Sequence, residues 1–311
     1  MTQRKDLRTQ VAGNKRRSIY LMAGFAVLIT GVVAAFDLAF RGGPILIAIA
    51  AVIVLAMVWA SYFYSDKLAI AAAHAHLADP DQYRQFHNII EELCIGAGLP
   101  KPRLYIVDDP APNAFATGRN PTHAAVAVTA GLLEIMDREE LEGVLAHELS
   151  HIRNYDILVA TIAVTLVGFV ALLSDFGLRM LIFGGRRRND KNDTGIYILA
   201  LSLVFIILAP FAAKAMQLAI SRHRESLADV SGVLITRNPQ GLIAALEKLR
   251  DNTTIVAHAP AATAHMWIES PLDKQSKGAH GWFNRLFETH PPIEQRIAAL
   301  QQVAGTSPVA S

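Results

Sequence analysis

The sequence predicts a mostly α-helical integral-membrane protein with two hydrophobic helical hairpins and an α+β domain that carries a small sheet. Three observations predict it. Hydrophobic residues make up 52% of the 311 positions and charged residues only 18%, against about 25% charge in an ordinary soluble domain. Four apolar stretches approach or reach the roughly 20 residues that a hydrocarbon core requires: 19–36, 44–65, 157–174 and 195–213. The polar segments around them, 66–156 and 214–311, are dominated by helical patterns with few β-rich runs. A formal net charge of +2 is too balanced for a polyanionic partner and argues against nucleic-acid binding. The single cysteine, Cys94, excludes an intramolecular disulfide and a cysteine-rich metal site.

These segments divide the chain into an N-terminal tail and hairpin (1–65), a first polar half (66–156), a second hydrophobic hairpin (157–213) and a second polar half (214–311). Arg4, Lys5, Arg8, Lys15, Arg16 and Arg17 precede the first stretch against a single Asp6, whereas the turn after it carries only Arg41. Basic residues stay inside, so the N-terminus and the polar halves belong in the cytoplasm. Trp59, Tyr62, Phe63 and Tyr64 close the second stretch as an interfacial aromatic belt. The 175–194 connection holds Arg179, Arg186, Arg187, Arg188 and Lys191, partly offset by Asp175, Asp190 and Asp193. Either the second hairpin dips in without crossing fully or the first hairpin dominates the orientation.

In the first polar half a helix is predicted over 81–97, stopping at Gly98 before Pro100. Short strands are predicted at 103–107 and 122–129, with 113–117 extended between them. Asp137 and Glu140 have capping-box spacing and open a helix that reaches about Asn154. In the second half a long helix runs to about Thr236. Another is capped by Asn238 ahead of Pro239, and a last one begins near His290 and Pro291.

The chemistry resides in His147-Glu148-Leu149-Ser150-His151, an H-E-x-x-H inside the capped helix. Residues four apart share a helical face, so both imidazoles reach one metal, with Glu148 beside them as a base for a metal-activated water. Zinc suits the set, because it accepts neutral imidazole and keeps an open position in catalytic sites. A three-histidine pattern would require Gly at 154 and His at 157, where Asn154 and Ile157 stand. The third ligand is therefore expected from a later helix, and Glu225 is the best candidate. Asp229, four residues on, shares its face and can accept a ring N–H from a ligand histidine. The alternative is a solvated, salt-bridged face formed by Arg222, Arg224, Glu225 and Asp229. If the helix continues past His151, its five following residues rise about 7–8 Å before the third apolar stretch begins.

His147–His151 followed by Glu225-Ser226-Leu227-Ala228-Asp229 and set among four apolar segments resembles the HtpX family of membrane-bound zinc metalloproteases, relatives of the CAAX prenyl endopeptidases. Pro112–Gly118 and the Thr289-His290-Pro291-Pro292 run with Glu294 and Arg296 also match. The resemblance implies a zincin-like (gluzincin) catalytic domain at the cytoplasmic face of the inner membrane and one zinc per chain. It further implies cleavage of membrane or unfolded proteins. Asn113, Ala114 and Phe115 resemble the edge strand on which related peptidases lay a substrate, the alternative being a turn capped by Asn113. His290 is expected either to stabilise the oxyanion or to open a helix, and Arg296 to be structural. Two other functions remain as alternatives: a CAAX-type prenyl-peptide endopeptidase, and a membrane scaffold with a structural metal site. Four segments seat a prenyl chain poorly, and a structural site has no use for Glu148.

Overall fold

In the computed structural model, which describes residues 2–40, 44–163, 165–166, 222–256, 266–268 and 291–306, the N-terminal apolar stretches form two long helices. α1 (Thr2–Phe40) and α2 (Pro44–Ala72) lie side by side. Leu21, Met22, Phe25 and Ile29 of α1 meet Val58 and Tyr62 of α2, and Leu158, Ile162 and Leu166 complete the same cluster. The start of the third apolar stretch, helical over 156–163, thus rests on the N-terminal pair. Among the described residues one segment, Ala51–Ala72, is long and apolar enough to cross a membrane by length and composition. The rest of the third stretch, apart from 165–166, and the whole of the fourth lie outside the described residues.

α2 passes position 65 without a break and runs to Ala72. Its last turn is anchored in the polar domain, because Ala69 and Ile70 are buried with Val107, Ala111, Phe115 and Trp267. Arg103 Nη2 also donates to Asp66 Oδ2 at 2.6 Å. The apolar helix therefore enters the polar domain as a stiff rod.

The sheet has four strands in the order β1-β2-β4-β3: β1 (His76–Leu77), β2 (Arg103–Val107), β3 (Ala114–Gly118) and β4 (Ala124–Thr129). β2 and β4 are parallel, while β1 with β2 and β3 with β4 are antiparallel. β4 begins two residues later than its alternation predicts, because Asn120 accepts from the His123 N–H and winds 121–123 into a 3₁₀ turn. α3 (Arg84–Ala97) also starts late. The Asp79 carboxylate takes the N–H groups of Asp81 and Gln82 at 2.9 and 3.0 Å and holds them in a turn.

After α4 (Ala130–Ile135), α5 (Arg138–Arg153) opens with the predicted capping box in full, the Asp137 and Glu140 side chains each accepting from the other's main chain. Then follow α6 (Arg222–Thr236), α7 (Pro239–Asp251), capped by Asn238, and α8 (Ile293–Thr306). The main core forms between one sheet face (Ile106, Val126, Val128) and Ile89, Leu145, Leu149, Leu246 and Leu300 of the helices. α5 is the central element of this core, which gives its H-E-x-x-H turns a rigid setting.

Candidate metal centre

His147 and His151 sit one turn apart on α5, and Glu225 projects from the first turn of α6. One donor atom from each lies within 4.8 Å of the others. The imidazoles meet edge to face with His147 Nε2 3.2 Å from His151 Nε2. Glu225 Oε2 is 3.7 Å from the first nitrogen and Oε1 is 3.6 Å from the second. Two ligands bound to one tetrahedral zinc stand about 3.3 Å apart. The nitrogen pair already has that spacing, and the carboxylate needs only a small inward shift. Two nitrogens and one oxygen also suit zinc chemically, so the residues fit the ion.

The far side of each imidazole faces a carboxylate. His147 Nδ1 lies 2.9 Å from Asp229 Oδ1, and His151 Nδ1 lies 3.1 Å from Asp156 Oδ2. With Nδ1–H donating to these acceptors, each Nε2 lone pair turns inward to where an ion would sit. Asp229 is itself held by Arg296, whose Nε and Nη2 donate to its two oxygens at 2.9 and 2.6 Å. Arg296 Nη1 donates to the Ile268 carbonyl at 3.2 Å, and its Nη2 lies 3.4 Å from His147 Nδ1. His147, Glu225, Asp156, Asp229 and Arg296 are buried, as is Glu148 at 2% exposure, whereas His151 is partly exposed.

α6 reaches α5 this closely because of Gly232. A Cβ there would stand 3.0 Å from the His147 backbone nitrogen and 3.3 Å from its Cα. The i, i+4 spacing of Glu225 and Asp229 then carries both carboxylates to the same imidazole pair.

Asp156 had no obvious sequence signal. In a continuous helix a residue five past His151 would point well away from it. α5 ends at Arg153 with Asn154 as its C-cap, close to the predicted end, so the helix does not run straight on, and Tyr155 takes a positive φ of 60°. A new helical run begins at Asp156, and the break returns its side chain to His151. Asn14 of α1 completes the setting, donating from Nδ2 to Asp156 Oδ1 at 2.8 Å and to the Asn154 carbonyl at 2.9 Å. Arg224 Nη1 lies 3.5 Å from the same Asp156 oxygen. The tail of the N-terminal helix is therefore part of the site's outer framework, which no local pattern in residues 1–40 announces.

The two imidazoles differ electrostatically. Burial, reinforced by Arg296, pushes His147 down to about 4, so it is neutral near pH 7. Burial acts on His151 in the same direction, but Glu225 and Asp156 outweigh it and lift the ring to about 9. Before metal binds, His151 thus carries a proton among carboxylates, and binding must displace it. Burial would raise the Asp229 carboxyl, yet Arg296 and His147 hold it well below the usual carboxylate range.

The proposed substrate residues lie on and beside β3, at one end of the sheet. Asn113 is buried, and its main chain pairs with Thr129: Asn113 N–H donates to Thr129 Oγ1, and Thr129 N–H to Asn113 O. On the outer side of β3, Ile268 N–H donates to Ala114 O at 2.9 Å, and Phe115 makes a β-bridge and an edge-to-face ring contact with Trp267. His290 lies outside the described residues. Elsewhere, His87 packs on the Ala78 carbonyl and His123 bonds Asn120, in keeping with surface or packing roles.

Comparison with known proteins yields a family. The profile of peptidase family M48 matches residues 80–304. The chain is 43% identical over 295 residues to a protease HtpX homolog of Caldanaerobacter subterraneus subsp. tengcongensis, covering 94% of this chain and 96% of that protein. A protease HtpX homolog of Streptococcus gordonii is 44% identical over 299 residues (94% and 99%), and one of Tropheryma whipplei is 48% identical over 242 residues (78% and 80%). Among solved structures, the crystal structure of S. mikatae Ste24p aligns with a TM-score of 0.49 at 16% identity. That match covers 95% of this chain and 66% of that one.

Proposed function

The chain belongs to peptidase family M48, and from that premise we propose that it is a membrane-bound zinc endopeptidase with Glu148 as general base. The carrying observation is the convergence of His147 Nε2, His151 Nε2 and the Glu225 carboxylate, with each imidazole held from behind by its own aspartate. One zinc per chain would be held by those three side chains. Zinc in such a site supplies Lewis acidity, which polarises a carbonyl and acidifies water. Asp229 and Asp156 fix the tautomers, and Arg296 keeps Asp229 ionised and in place. Glu148, next to His147 on α5 and almost wholly excluded from solvent, takes the proton of the attacking water and returns it to the leaving amine. His290 would stabilise the oxyanion.

An extended substrate would add to the β3 edge beside Ala114 and Phe115, held by main-chain hydrogen bonds that demand little of its sequence. In the structure Ile268 N–H to Ala114 O and the Phe115–Trp267 bridge occupy that edge, so a substrate would take the place of residues 266–268 there. The two polar halves would act as one cytoplasmic catalytic domain of the inner membrane, cleaving membrane or unfolded proteins.

The test is the full chain in detergent with zinc, assayed on an unfolded protein beside Glu148→Gln. The variant should keep its zinc by elemental analysis and lose about 10²–10⁴-fold in rate. Activity within a few-fold of wild type would overturn the reading.

A further inference from the structure

At the domain end of α2 a cavity of about 510 Å³ opens between that helix and the β3–β4 connection. One wall is aromatic: Trp59, Phe63 and Tyr64 are 56%, 37% and 44% exposed. The other is cationic, with Lys67, Lys101, Arg103 and Arg119 against one lining carboxylate, Asp66. Asp66 is engaged by Arg103, and Lys101 by Glu91 at 2.8 Å. Lys67 and Arg119 have no carboxylate within 4.0 Å among the described residues and lie over rings instead. The Lys67 ammonium is 5.2 Å from the Tyr64 centroid, and the Arg119 guanidinium is 5.1 Å from that of Phe63.

We propose that this cavity seats the phosphate headgroup of an anionic glycerophospholipid. The shared chemistry is a phosphate anion, which Lys67 would bind as a point charge and Arg119 through its fork. The position favours a lipid over free phosphate. Trp59, Phe63 and Tyr64 close the charge-free 44–65 stretch, the end of an apolar segment at which aromatic rings meet headgroups. An acyl chain leaving the cavity along that face would enter the bilayer directly. The inner leaflet is also the anionic one, and basic side chains beside a span hold its lipids. The cavity is separate from the metal centre and shares none of its ligands.

The experiment uses the zinc-loaded full chain, with native mass spectrometry counting lipid retained from nanodiscs of equal parts phosphatidylcholine and phosphatidylglycerol. Wild type should retain phosphatidylglycerol selectively, and inorganic phosphate should not displace it. Lys67→Gln with Arg119→Gln should weaken retention about 30-fold, at roughly one headgroup contact's worth per cation, with zinc content unchanged. Arg119→Lys should restore much of it. Arg16→Gln with Arg17→Gln, which removes equal charge from the N-terminal tail, should leave it intact. Should the first double variant fail to fold, Trp59→Ala removes an exposed side chain and should weaken retention too. Retention by the Lys67/Arg119 variant at the wild-type level would overturn the proposal, as would equal loss in the Arg16/Arg17 control. Displacement by inorganic phosphate would overturn the lipid as the source.

Discussion

Asp156 and Asp229 set the direction of the two imidazoles, and their removal separates ligand orientation from ligand identity. Asp156→Asn keeps the shape but loses the charged acceptor of the His151 Nδ1–H. Metal affinity should fall about 10–100-fold, read by competition with a chelator; an unchanged affinity would remove Asp156 from the site. Glu225→Ala removes a donor outright and should lose most of the metal by elemental analysis, and stoichiometric zinc in that variant would exclude Glu225 as a ligand. Cys94 has the opposite character. It is buried, and burial pushes its thiol up to about 11 from 9.0. Its thiolate fraction is therefore about a hundredfold below that of an unperturbed cysteine. Alkylation of the native chain should be correspondingly slow and should accelerate on unfolding; rapid native labelling would contradict that environment.

Among the elements, α5 is packed on both sides through glycines. Gly143 lies where α5 crosses α7, and a Cβ there would stand 2.6 Å from the Leu242 nitrogen and 2.8 Å from its Cα. Alanine would gain about 1 kcal/mol of helix propensity. Forcing backbone from backbone costs about 1–3 kcal/mol, so the clash should win. Gly143→Ala should lower the midpoint of thermal unfolding, and an unchanged or raised midpoint would show that the helices can part freely. α1 acts at longer range, since Asn14 reaches Asp156 across 142 residues of sequence. Asn14→Ala removes that brace without touching a ligand. Metal affinity should drop by less than in Asp156→Asn but measurably in the same chelator competition.

For the whole molecule, the helical run after α5 packs on both α1 and α2, so the metal centre is built against the base of the apolar helices. An active site so placed suits substrates presented at a membrane surface. Ser226, one residue from Glu225 and exposed, reports which side the site faces. A Ser226→Cys variant in a Cys94→Ala background should be labelled in inverted vesicles and protected in intact cells. Labelling from the outer face would reverse the proposed orientation.

Local sequence patterns specify the candidate metal set and the elements that carry it. A capping box, a helical i, i+4 pair of histidines and a second i, i+4 pair of carboxylates are local patterns. Local stereochemistry holds them wherever the helices pack, so Asp137, His147, His151, Glu225 and Asp229 were legible. The paired N-terminal helices were legible for the same reason, from the length and charge of their stretches. Tertiary structure alone decided how the set is oriented. The break at Asn154 and Tyr155 carries neither glycine nor proline, and it turns Asp156 back to His151. Asn14 and Arg296 reach the site across 142 and 149 residues, and residues 266–268 meet β3 across a similar gulf. Such contacts arise from how buried polar groups find partners in a packed core, a condition on three-dimensional neighbours that no one-dimensional spacing encodes.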